Sequence, residues 1–156
     1  MSEGCEPIVD QARQDRRDVR LREALEGYER AADLARFAND KGKLAYAQRH
    51  VADLQRELGQ HHAAESAAAE AVSLYRQHSG SVSLDLANAL RVWALAQQSL
   101  GQLPEAERSW REVRSLYDAV GVLAGVQECD EHIARRPDTA EGSPGRAAGT
   151  PSNRFE

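Results

Sequence analysis

Cys129 and His132 stand three residues apart, close enough to touch on a helix, and a thiol beside an imidazole is either half a metal site or an activated nucleophile. A metal would need two more ligands at sensible spacing, and His61 and His62 fall in a different part of the chain. A small thiol- or metal-dependent enzyme is therefore the remote reading, and Cys129 reads as a core thiol. No Gly-rich phosphate loop, paired-carboxylate cleft or nucleophile elbow occurs in the sequence. The expectation is no enzyme, no catalytic residue, no cofactor and no metal.

The other chemistry on offer is charge recognition. Lys41 and Lys43 are the only lysines, and all other basic residues are arginines. The planar fork of a guanidinium suits carboxylates better than an ammonium does, although abundant Arg and Ala equally suit a GC-rich genome. Arg13, Arg16, Arg17 and Arg20 fall three and four apart on one helical face, which could dock an anionic surface; Asp10, Asp15 and Asp18 lie among them, so a solvated cap is the preferred reading.

Arg49 and Arg91 are 42 residues apart, and so are two copies of one pattern. Glu57-Leu58-Gly59-Gln60 through Ala71-Val72-Ser73-Leu74-Tyr75 is answered by Ser99-Leu100-Gly101-Gln102 through Val113-Arg114-Ser115-Leu116-Tyr117. A fixed period of this size means stacked copies of one unit too small to bury its own apolar face, hence a solenoid.

Apolar residues recur three and four apart from Ile8 to Arg135, with no alternation of period two, which predicts helices and no strands. The predicted helices span roughly 7–18, 20–39, 43–58, 61–78, 82–100, 103–121 and 123–135. Gly59 and Gly101 are expected to stop their helices in the left-handed conformation, and Pro104 fits the first turn of the sixth. In the second helix Leu21, Ala24, Leu25, Tyr28, Ala31, Ala32, Leu34, Ala35 and Phe37 are expected to share the buried face. A break is expected over Asn39-Asp40-Lys41-Gly42. The segment 136–156 is Gly, Ser, Pro and Thr with almost nothing to bury and reads as a disordered tail, like residues 1–6.

A net charge of −5 and an aromatic content of 5% argue against nucleic acid as a partner, since phosphate neutralisation needs a basic surface. No run approaches a membrane span, and the acidic start does not read as a secretory leader. Two cysteines fit a reducing compartment. The expectation is a cytoplasmic protein with no membrane partner.

Particular residues carry a resemblance to the tetratricopeptide repeat (TPR) family over about 20–135. Each copy has a small residue before the end of its first helix (Ala52, Ala94) and a Leu-Gly turn. Ala follows five residues after the glycine (Ala64, Ala106), then an aromatic position filled by Trp110, then Ala71 or Val113. Small residues there let two helices cross closely. The 42-residue period exceeds the family's common 34 and is similar to the long-repeat branch typified by kinesin light chains. Ala68 stands where an aromatic is expected, so Trp93 is predicted to fill that space against Ala64, Ala67 and Ala68.

The resemblance implies an all-α, right-handed antiparallel helix-pair solenoid of about seven helices over 7–135, acting as a protein-binding adaptor. It also implies groove positions on the first helix of each pair. These are Tyr46, Arg49, His50, Asp53, Arg56 and Glu57; then Asn88, Arg91, Val92, Leu95 and Gln98; then Glu128, Glu131 and His132. Arg49 and Arg91, at equivalent sites, could grip one peptide carboxylate from both sides. Alternatively they pair with Asp53 and Glu57, or with Glu128 and Glu131, and keep the groove soluble. His50 and His132 could donate to a bound backbone over an apolar floor of Val92 and Leu95, or be incidental. The expected partner is a protein or peptide; the alternative is a homodimer formed through the solenoid faces.

Overall fold

The computed structural model describes residues 4–78 and 82–135, and the predicted tail at 136–156 lies outside them. Of the stretch 1–6, Gly4 and Cys5 form a turn and Glu6 already lies in the first helix, while 1–3 are outside the described residues. Seven helices follow one another: α1 (Glu6–Arg17), α2 (Leu21–Phe37), α3 (Lys41–Glu57), α4 (His61–His78), α5 (Leu84–Ser99), α6 (Leu103–Val120) and α7 (Leu123–Ala134). Each packs against its sequence neighbours, and α3 also touches α5, so the helices stack as an all-α solenoid.

Five helix ends share one device. A residue with left-handed φ closes the helix, and the next N–H reaches back to the carbonyl five residues earlier: Arg20 to Asp15, Asp40 to Ala35, Gln60 to Gln55, Gln102 to Gln97 and Val122 to Tyr117, at 2.8–2.9 Å. The left-handed residues are Val19 (φ 60°), Asn39 (54°), Gly59 (79°), Gly101 (73°) and Gly121 (78°). The two glycine stops therefore stand as expected. Asn39 suits this backbone and stands in the break expected at 39–42, whereas the same turn at Val19 was not legible, because a β-branched residue rarely adopts it.

The break before α3 is shorter than expected. Lys41 and Gly42 are helical, because Asp40 caps α3 by accepting from the Lys43 N–H at 3.0 Å. The apolar face assigned to α2 also needs correction at its end. Phe37 is 94% exposed and Leu34 is exposed too, since both project past the packing surface at the α2–α3 turn.

The core runs along the axis in three linked clusters. Ala52, Ala64, Ala94 and Ala106 are all buried, letting the paired helices approach, and Trp110 is fully enclosed. Trp93 is half-buried where two clusters meet, packed on the one containing Ala67 and Ala68; its indole N–H donates to Glu65 Oε1 at 2.8 Å. It bridges the gap left by Ala68 without being enclosed there.

Candidate functional site

The odd-numbered helices form one row, tied across by side chains. Arg16 of α1 donates through Nη2 to Asp53 Oδ2 (2.7 Å) and Glu57 Oε1 (2.5 Å) of α3. Arg56 holds the other oxygen of Asp53 at 3.0 Å. Burial works to raise the Asp53 pKa, but these two guanidinium groups outweigh it and leave the carboxyl below its usual value. At the far end Arg91 of α5 grips Glu128 of α7 with Nε–Oε2 2.7 Å and Nη2–Oε1 2.6 Å, and this fork holds Glu128 below the usual carboxylate range.

Arg49 sits between these two ties and has no carboxylate partner among the described residues. The reason lies in α5, whose sole acid, Asp85, is confined to its first turn, whereas Asp53 stands near the C-terminal end of α3 and Glu128 in the middle of α7. The Arg49 guanidinium instead donates through Nη2 to His50 Nε2 at 3.2 Å and lies 5.6 Å from the centre of the Tyr46 ring. Its Nε is buried without a hydrogen-bond partner. Nearby, burial pushes the Tyr75 hydroxyl above its usual pKa against the opposing charge of Arg49.

His50 stacks on Tyr28 (centroids 4.6 Å apart, 13° between planes) and meets Tyr46 edge-on at 4.6 Å. Burial, then the charges of Arg49 and Arg16, push its pKa down to about 3, so the ring is neutral and free to accept from Arg49. His132 stacks on Trp110 (4.0 Å, 7°), and burial lowers its pKa as well. Both imidazoles are thus occupied in ring packing.

The remaining groove positions divide. Asn88 Oδ1 accepts from the Tyr117 hydroxyl at 2.8 Å. Val92 is buried in the core at 3% exposure, leaving half-buried Leu95 as the floor residue that reaches the surface. Glu131 is exposed and Gln98 half-buried. Arg16 was placed in a solvated cap on α1, and its tie to Asp53 and Glu57 takes the very acids that were candidates to neutralise Arg49. The signal was present in the interleaved arginines of α1, but choosing Arg16 required knowing that α1 stands beside α3.

The Cys129–His132 pair makes no activated thiol. Cys129 is fully buried, and burial pushes its pKa up to about 11, the opposite of what a nucleophile needs. Among the described residues no cluster of three or more His, Cys, Asp or Glu is placed to hold a metal, and no helix is long and apolar enough to cross a membrane.

Stacked antiparallel helix pairs with small residues at the crossings and left-handed stops at five of the helix ends define a TPR-like repeat solenoid. Residues 14–99 match the family described as anaphase-promoting complex subunit 5, and the chain belongs to that family. Among solved structures it is similar to a Podosopora anserina protein described as a kinesin light chain with nearly identical TPR-like repeats. That match has a TM-score of 0.73 and 17% identity, covering 85% of this chain and 66% of that one. A point variant of the same protein gives 0.71 and 17%, covering 81% and 64%. BtubC (BKLC) from P. vanneervenii gives 0.63 and 17%, covering 97% and 71%. This chain thus spans just under two thirds of the first two. No curated protein matches the sequence.

Proposed function

We propose that this chain is a non-enzymatic protein-interaction scaffold that holds a peptide or partner helix in the groove formed by α3, α5 and α7, with Arg49 as its carboxylate-reading residue. The observation that carries this reading is the contrast between two arginines at equivalent repeat positions. Arg91 is already closed by Glu128, whereas Arg49 is held by the Tyr46 ring and a neutral imidazole, with no acid among the described residues to neutralise it. A guanidinium pre-oriented in this way loses little freedom on meeting a carboxylate, and partial burial strengthens the contact. The grip then falls on Arg49 alone, with Leu95 and Tyr46 as flanking apolar surface. Repeat folds of this kind generally present such surfaces to other polypeptides, and two free cysteines suit a cytoplasmic setting.

The test is affinity capture with the wild type, with Arg49→Glu and with Arg108→Glu, a charge reversal on an exposed residue of α6. Proteins retained by wild type and Arg108→Glu but lost from Arg49→Glu are expected. Identical retention by all three would overturn the groove reading.

A further inference from the structure

The first and third helices are tied at one end and open at the other. Arg16 reaches Asp53 and Glu57 at the C-terminal end of α1, and midway Arg13 donates to the Tyr46 hydroxyl through Nε and Nη2 at 3.1 and 2.8 Å. Beyond Arg13 the helices leave a cavity of about 450 Å³. Val9, Ala31, Tyr46 and Ala47 give it apolar walls, while Cys5 and Lys43 lie at its edge. Small side chains create the space: Ala31 and Ala47 are fully buried yet too short to fill it.

A knob stands beside this hole. Phe37, the last residue of α2, is 94% exposed, the highest exposure among the described large apolar side chains. It borders a smaller depression, of about 290 Å³, that also includes Cys5 and Lys43, so knob and hole share a rim on one molecule. A two-fold axis through such a rim places the knob of each copy over the hole of the other, as a self-complementary interface requires. The volume exceeds that of one phenyl ring and leaves room for Leu34 at the mouth. The cavity mouth is charge-balanced, with Glu6 and Asp10 of α1 offset by Arg13 of the same helix and Lys43 of α3, and Asp40 beside Phe37 adds one negative charge that lies 4.0 Å from Lys43.

We propose that this chain forms a two-fold homodimer in which Phe37 of each copy enters the α1–α2–α3 cavity of its partner. The interface shares Tyr46 with the Arg49 groove but is centred on Phe37, so a Phe37 variant tests it without altering Arg49.

The experiment is light scattering behind size exclusion over a concentration series, with the wild type, Phe37→Asp and Val9→Trp. The wild type should approach twice its 17.2 kDa mass as concentration rises, while Phe37→Asp stays monomeric with an unchanged melting temperature. Val9→Trp blocks the hole from inside. Mixed with Phe37→Asp it should recover part of the dimer mass, since the mixture restores one knob and one hole. Cys5 supplies a readout that does not depend on Val9→Trp folding. It borders the cavity while Cys129 is fully buried, so its maleimide labelling should slow with concentration in wild type but not in Phe37→Asp. A wild-type mass that stays monomeric to about 0.5 mM, or a dimer that survives Phe37→Asp with Cys5 labelling unprotected, would overturn the proposal.

Discussion

Arg91 and Glu128 form a two-bonded fork, Nε to Oε2 at 2.7 Å and Nη2 to Oε1 at 2.6 Å, that ties α5 to α7. Both side chains are about one-third exposed, so solvent weakens the pair but does not cancel it, and its net worth is about 1 kcal/mol. The fork lowers the Glu128 pKa from 4.5, so its stabilisation is complete above that pH and fades as pH falls through the lowered folded value. Glu128→Gln is expected to lower the urea midpoint at pH 7 and in low salt. The difference from wild type should shrink in 1 M salt and as pH falls below 4.5. Equal midpoints under all these conditions would mean that the fork is ornamental.

Val19 and Gly59 close their helices with the same left-handed geometry, φ 60° and 79°, yet one is β-branched and the other has no side chain. Val in this conformation is strained by about 1–2 kcal/mol, and at 75% exposure little packing compensates. Val19→Gly is therefore expected to raise stability by about 1 kcal/mol. Gly59→Ala and Gly101→Ala should lower it by about 1 kcal/mol although a methyl would meet nothing within 4 Å at either site. Thermal melts of the three variants check the signs, and a destabilised Val19→Gly would contradict the account of these turns.

Gly125 is a glycine for a different reason. Its φ is ordinary, but a methyl there would sit 2.5–2.8 Å from the ring carbons of Tyr117 where α7 crosses α6. Gly125→Ala must push that ring aside and disturb the Tyr117–Asn88 hydrogen bond, at a cost of about 1–3 kcal/mol. Tyr117→Leu should relieve part of that penalty in a double-mutant cycle; strictly additive losses would rule out the clash as its cause.

Fold features written in local chemistry could be read directly. The span of α4 and the stops at Gly59 and Gly101 follow from sterics within a few residues, and the small residues Ala52, Ala64, Ala94 and Ala106 were legible from their repeat spacing. Phe37 could not be read that way. Its phase on α2 is apolar, but whether that phase meets anything depends on where α3 begins, and Asp40 starts it early. The groove was legible as a set of positions, not as a set of partners. Arg49, Arg91, Asp53 and Glu128 admit several pairings in sequence, and the choice among them turns on Arg16, which arrives from another helix pair.

The two tryptophans differ in a way fluorescence can report. Trp110 is 1% exposed and lies flat against His132, whereas Trp93 is half-buried with its indole N–H on Glu65. In a Trp93→Phe protein the remaining emission should resist iodide; in Trp110→Phe it should be partly quenched. Trp110→Ala is expected to cost about 3–5 kcal/mol, the range for emptying a large aromatic site, against about 1 kcal/mol for the lost hydrogen bond in Trp93→Phe. Equal iodide sensitivity of the two single-tryptophan proteins would overturn the assignment of Trp93 to the junction and Trp110 to the interior.

The sharpest pH dependence above the carboxylate range should come from His50. It faces Tyr28 of α2, Tyr46, Arg49 and Asp53 of α3, and the charges of Arg13 and Arg16 from α1; burial and the arginines dominate, lowering its pKa from 6.5 to about 3. Between those values the unfolded chain binds a proton that the folded chain refuses. Stability is therefore complete above about pH 6.5 and declines as pH falls toward 3, by up to about 1.4 kcal/mol per pH unit from this group. His132 adds a smaller decline of the same sign. His50→Phe keeps the stacking on Tyr28 but removes the titration, so its stability should fall less steeply than wild type between pH 6.5 and 4.5. The His50 ring resonances should show a neutral imidazole throughout that window. Parallel stability–pH curves for wild type and His50→Phe, or a His50 signal titrating near 6.5, would show that the ring is open to water and that Arg49 lacks its neutral acceptor.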